Sequence, residues 1–267
     1  MTDSNAICFT FRTLPLRAKL ALALILMMAT GVAYAGPVDL SSWTATSGGS
    51  WNVQSGNDSV LQTTNGSPTF FYESGDNAQG QALSGKIQVV TTGDDDYIGF
   101  ALGFDASDIN SASADYILVD WKQLDQHFAG SQAYKGISIS HVSDSTNTSG
   151  FPDFWSHQGG VNEIQRATNL GSTGWADNTE YVFDLQFTAS LIQVSVNNVL
   201  EISITAADAG LTSFDDGSFA FYNFSQSQVL YSAVEEATTS LPVGGAAPFF
   251  LGIGLLLALA RKKRALR

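Results

Sequence analysis

Asp94, Asp95 and Asp96, within "GDDDYIGFALGF", set three hard oxygen donors side by side against an apolar run. Such donors are the chemistry of a calcium site, and also of an ordinary solvated turn. In an extended strand Asp94 and Asp96 would project to one side about 6.6 Å apart, with Asp95 opposite. Two charges about 7 Å apart repel by roughly 0.6 kcal/mol at water's dielectric and by about 2.4 kcal/mol at an effective value of 20. A fully wet cluster needs no ion, whereas a partly buried one gains from a cation. Calcium takes six to eight oxygens, so three aspartates need backbone carbonyls, water, or Asp105, Asp108 and Asp120 to complete a shell. The candidate metal set is Asp94, Asp95, Asp96 and Asp120, and the candidate cofactor is calcium.

Other residue types offer less chemistry. His127, His141 and His157 lack the spacing of a zinc site, and each reads as a strand or loop residue. Trp121, Trp155 and Trp175 are large enough to stack on sugar rings. Trp121 sits inside a strand pattern and reads as core, which leaves Trp155 and Trp175 as the candidate ligand-binding pair. Glu180 and Asp184 share a strand face in "EYVFD" and read as solvated.

The elements that must hold these residues are short strands. From Gly36 to Glu236 the chain is rich in Gly, Ser, Thr, Asn, Asp and aromatics, with apolar residues alternating between turn signals. "SWNVQSG", "SVLQTTNG", "PTFFYES", Tyr97 to Phe104, "DYILVDWK", "KGISISHV", "GSFAFYNF" and "QVLYSAV" are strand candidates. In "YVFDLQFTASLIQVSVNNVLEISI", Tyr181, Phe183, Leu185 and Phe187 face one way, as do Ile192, Val194 and Val196. Period two on both sides of short turns, including Asn197-Asn198, predicts antiparallel hairpins. No stretch of this region holds helical spacing over more than about three turns. The expected fold is an all-β jelly-roll sandwich.

The flanks are different. Arg12, Arg17 and Lys19 precede an apolar stretch from Leu20 to Ala29, and Ala33-Tyr34-Ala35 has the small-x-small form of a cleavage site, so residues 1–35 read as a secretory signal peptide. At the other end Leu241 to Ala260 is uncharged and apolar, and about 20 such residues make a transmembrane helix. The cluster "RKKRALR" after it stays cytoplasmic. Residues 237–267 are therefore linker, membrane segment and basic tail, the linker beginning in "EEATTS". The only cysteine, Cys8, lies in the signal, so the exported part has no disulfide.

Charge narrows the partners. Lys86, Lys122, Lys135 and Arg166 are the four basic residues outside the flanks, against 24 acidic ones, all but Asp3; four positive and 24 negative leave −20. Such a surface repels phosphate backbones and anionic headgroups while attracting divalent cations, which excludes nucleic acid.

"LSGKIQVVTTGDDDYIGFALGF", "DYILVDWKQ", "YKGISISHV", "FWSHQGG", "GSTGWADNTEYVFDLQF" and "GSFAFYNFSQSQVLYS" resemble, in order and spacing, the thrombospondin C-terminal domain. The resemblance covers Leu83 to about Val234. It implies a lectin-like sandwich of the concanavalin A type over residues 36–236, an extracellular adhesive role, and calcium binding. Where that family has a cysteine near the domain's end, this chain reads "YSAVEEA". The tail is similar to the C-terminal sorting signals of Gram-negative bacteria, the PEP-CTERM class. Leu241, Pro242, Gly244 and Gly245 would form the recognition element, and Arg261, Lys262, Lys263 and Arg264 the basic stop. That implies a sortase-like membrane protease as partner, an inner-membrane intermediate, and display at the cell surface or in the extracellular matrix. The resulting expectation is a non-catalytic, calcium-binding adhesion module whose partner is an extracellular polysaccharide. The alternative is a glycoside hydrolase-like enzyme on the same scaffold, but the Glu-x-Asp-x-x-Glu arrangement of lectin-fold hydrolases is missing.

Overall fold

A computed structural model describes residues 36–145 and 152–238. The signal segment, the apolar span and every residue of the sorting signal (Leu241, Pro242, Gly244, Gly245, Arg261, Lys262, Lys263, Arg264) lie outside the described residues. Among the described residues no helix is long and apolar enough to cross a membrane.

Two antiparallel sheets carry the fold. The first runs β15 (Val199–Thr205), β14 (Leu191–Val196), β13 (Tyr181–Phe187), β6 (Gln81–Val89), β17 (Val229–Thr238), β4 (Val60–Gln62), β3 (Trp51–Val53), with β1 (Gly36–Pro37) paired to β17. The second runs β12 (Val161–Arg166), β11 (Gly136–Ser145), β8 (Ser111–Lys122), β7 (Tyr97–Phe104), β16 (Ser218–Phe224), β5 (Thr69–Tyr72), β2 (Thr44–Ala45). A small hairpin, β9 (Gln126–Phe128) and β10 (Ser131–Ala133), projects between β8 and β11, and one helical turn, α1 (Asp153–Ser156), follows β11.

The expected alternation is present where one face meets water. Phe183, Leu185 and Phe187 of β13 and Ile192, Val194 and Val196 of β14 are buried, in register across the pair. Asn197 and Asn198 turn the next hairpin with φ of 51° and 63°, the left-handed pair that a two-residue turn needs and that Asn tolerates. These side chains meet those of the second sheet in the core, as where Phe100 lies 4.6 Å from Phe183 and Phe221 stacks on Tyr231 at 4.3 Å.

The second sheet has no wet face over β7 and β16, whose residues are all buried. Ile98, Phe100, Leu102, Phe219 and Phe221 enter the inter-sheet core. Their alternates, including Tyr97, Ala101, Ala220, Tyr222 and Phe224, join a second apolar cluster under Phe154 and Trp155 of α1 and Ala133 of β10. That third layer explains why "YIGFALGF" and "SFAFYNF" read as continuous apolar runs. Glycine is required at Gly99, where a Cβ would meet the Val119 carbonyl oxygen at 2.1 Å.

The domain edge needs one correction. Strand β17 continues through Glu235, Glu236, Ala237 and Thr238, the last two of which were placed above in the segment 237–267. Their backbones pair with Ser84, Leu83, Ala82 and Gln81 of β6, and Glu235 and Glu236 also pair with β1. Ladder pairing is made by the backbone and leaves the side chains free to be polar, so composition alone misplaced the boundary.

Candidate functional site

Loops from both sheets converge at one end of the sandwich. Asp94, Asp95 and Asp96 do not alternate along a strand, because β7 begins only at Tyr97. They curl in the loop before it, so that one carboxylate oxygen from each lies within 4.8 Å of the others. Asp94 and Asp95 are partly exposed and Asp96 is buried. Asn65, in the loop after β4, donates its side-chain amide to Asp94 Oδ2. The Asp96 amide donates to Gln226 Oε1 at 3.0 Å, and the Trp175 indole N–H donates to the Asp96 carbonyl at 3.1 Å.

Lys122, at the end of β8, answers why three carboxylates stay together. Its side chain is fully buried, and its ammonium donates to Asp96 Oδ1 at 2.6 Å, Gln126 Oε1 at 2.9 Å and the Asp95 carbonyl at 3.2 Å. It also sits 4.6 Å from the Trp155 ring centre and 5.2 Å from that of Tyr97. One ammonium against three carboxylates leaves two uncompensated charges, both on the wetter side. Burial, then the charges of Asp96 and Asp95, push the Asp94 carboxyl up to about 6. Burial also raises Asp95, although Lys122 opposes it. Crowded, partly dehydrated carboxylates whose protons are held too tightly are a donor set that a divalent cation relieves. The three carboxylates fit such an ion if water completes its shell.

Asp120, Asp105 and Asp108 do not join this set. Asp120 is buried in β8 and accepts from Ser138 Oγ and His157 Nε2, both at 2.8 Å. Asp105 and Asp108 cap a 3-10 turn reciprocally at the far end of β7. The actual partner of Asp120 is His157, whose Nδ1 faces Glu163 Oε2 at 3.1 Å while Arg166 donates to the same carboxylate at 2.9 Å. A ring with carboxylates on both nitrogens is an imidazolium donating twice. Burial works against that charge, but Asp120 and Glu163 raise the ring to about 9. Burial likewise works against the Glu163 charge, and His157 and Arg166 override it, holding that carboxyl down to about 2. His157 ends α1 with a left-handed φ of 50°, so this closed network pins the helical turn over the second apolar cluster.

The two tryptophans proposed for sugar stacking are buried, Trp155 at 4% and Trp175 at 2% exposure. Trp155 roofs Lys122 and contacts Phe224, and Trp175 anchors the acidic loop. Among the described residues, Phe128 at 59% and Tyr134 at 60% are the large aromatics presented to solvent instead. Phe128 rests on Trp155 at 5.9 Å, and Tyr134 lies beneath the Arg166 guanidinium at 6.0 Å. Sequence reasoning missed both because the hairpin is too short for its strands to show a period; "DQHFAGSQA", with Ala-Gly at its turn, was the signal available.

Residues 46–239 match the thrombospondin C-terminal region family. Thrombospondin-2 of Gallus gallus is 28% identical over 193 residues, which are 68% of this chain and 16% of that protein. The carbohydrate-binding module CBM66 from Bacillus subtilis superposes with a TM-score of 0.50 at 10% identity, covering 73% of this chain and 95% of the module. The exoplasmic/lumenal domain of VIP36 in its Ca2+/Man2-bound form superposes at 0.46 with 12% identity, over 78% and 84% of the two chains.

Proposed function

Since the chain belongs to the thrombospondin C-terminal region family, we propose that it works as an exported, non-catalytic adhesion module that holds calcium at Asp94, Asp95 and Asp96 and meets carbohydrate nearby. The observation that carries this reading is the acidic end of the sandwich: three carboxylates gathered within 4.8 Å, two of them open to water. Lys122 pairs closely with Asp96 at 2.6 Å and more loosely with Asp95 at 3.9 Å, and one ammonium cannot offset three carboxylates, so the outward pair is left for an ion with water or ligand oxygens in its remaining positions. The likeness in fold to a module named for carbohydrate binding supports a sugar as the partner class. The inner part of the Asp120–His157–Glu163 network is closed, with His157 at 6% and Asp120 at 1% side-chain exposure, which supports a structural part for it.

Export through residues 1–35, a span at Leu241 to Ala260, release by a sortase-like protease near Pro242 and residence on a Gram-negative surface or matrix belong to the same reading, on the sequence patterns given above. The test is a glycan array probed with the purified protein in millimolar calcium and again in chelator. Calcium-dependent binding lost in Asp94→Asn supports the reading. Binding indifferent to calcium removes the metal, and turnover of a polysaccharide removes the module.

A further inference from the structure

The two places where the chain enters and leaves the sandwich are neighbours. Gly36 pairs with Glu236 and Pro37 with Glu235, so the described chain begins and ends at the same end of the sandwich. Strand β17 then measures the distance to the other end. It begins at Val229, beside the Gln226 that holds Asp96, and finishes at Thr238, paired with Gln81. Its nine residue steps span about 30 Å. The acidic loops, Lys122 and the aromatic hairpin stand at the beginning of β17, and both chain crossings stand at its end.

Only Thr239 and Ser240 separate Thr238 from the apolar run that starts at Leu241. Three residue steps reach about 10 Å at most. We infer that, while its tail is in place, the domain stands on the bilayer with the Gly36–Thr238 end against the lipid, presenting the Asp94–Asp96 end and the Phe128–Tyr134 hairpin outward. This rests on reading Leu241 to Ala260 as a membrane span. The lower end carries Asp39, Glu73 and Glu236 around an open cleft of about 490 Å³. Anionic headgroups repel that rim, so the tether and not adhesion to lipid holds the domain down. The outward end is then free to touch another surface, as an adhesion module requires.

The test uses residues 36–267, the chain left once the signal peptide is removed; Cys8 goes with it, so an introduced cysteine is unique. Ser190→Cys marks the turn after β13, at the Gln81 end, and Thr92→Cys marks the acidic loop; both positions are exposed. Each is labelled with a fluorescent donor and the chain is reconstituted into vesicles carrying a headgroup acceptor. Energy transfer from position 190 exceeds that from position 92 by at least about twofold, given the roughly 30 Å between the ends. A flexible insert of about twenty Gly and Ser residues after Thr239, with a mean reach of about 25 Å, erases the difference without releasing the chain. Equal or reversed transfer from a chain that floats with its vesicles overturns the orientation alone. A chain that does not float overturns the anchoring reading and this inference with it.

Discussion

Replacing Lys122 by Met tests whether an internal ammonium organises the acidic end. The side chain is fully buried, Asp96 is 4% exposed, and their contact is 2.6 Å. Removing one partner of such a pair leaves a buried charge without compensation, at a cost of about 3–5 kcal/mol. For a domain of this size, each kcal/mol moves the melting temperature by about 2–4 °C, so the variant melts roughly 6–20 °C lower in chelator. Asp96→Asn in the same background removes the stranded charge and recovers most of the loss. Calcium separates this pairing from mere packing. Without the ammonium the three carboxylates present three charges instead of two. A unit charge about 4 Å away is worth about 4 kcal/mol at an effective dielectric of 20, and a third of that tightens an ion about tenfold. The assay is a pair of melts followed by a calcium titration by calorimetry. A melt within about 1 kcal/mol of the parent would refute the ion-pair account. Calcium affinity that stays constant or weakens would show that any ion binds elsewhere.

Three further outcomes follow from the ionisable groups and one from space. Asp94 and Asp108 are pushed up to about 6 and Glu236 to about 7, chiefly by burial. The stability these groups contribute is present below their unfolded values near 4 and is lost as pH rises through 6 to 7, so without metal the protein melts higher at pH 5 than at pH 8. A metal competing for the Asp94 proton reverses this, and the shift in melting temperature that calcium causes shrinks as pH falls through 6, as scanning calorimetry would read. His157, raised to about 9, contributes stability that is complete below 6.5 and lost as pH climbs through 9; in His157→Gln the alkaline part of the melting profile flattens. Gly174→Ala lowers the melt and loosens the acidic loop, because its Cβ would meet the Gln123 carbonyl oxygen at 1.8 Å, and chelator no longer changes Trp175 fluorescence if that loop has lost its ion.

Although β6, which alternates as well, and β12 were not singled out, strands such as β13 and β14 were legible in the sequence because burial on a single face writes itself as period two. The third layer was not. Phe154 and Trp155 cover the second sheet from a helical turn of four residues, too short for any periodic signal. The runs in β7 and β16 state only that both faces are buried, without naming the cover. Thr238 shows the opposite failure, since backbone pairing carried β17 past the last apolar side chain.

The acidic end divides along a similar line. Three adjacent aspartates are visible as a pattern, but the residue that decides their electrostatics lies 26 positions away from Asp96 and bonds through a terminal atom. Asp120 was a fair guess from its place in "DYILVDWKQ", two residues before Lys122 in the same strand and so on the same face. What separates them is reach. The short Asp120 side chain stops at His157 and Ser138, whereas the four-carbon stem of Lys122 carries its charge to the strand's end. Lys122 had been counted among four scattered cations on an anionic surface. Its position makes it the inner half of a site whose outer half, Asp94 and Asp95, is still short of positive charge, and that imbalance points outward, toward calcium and the surface the domain meets.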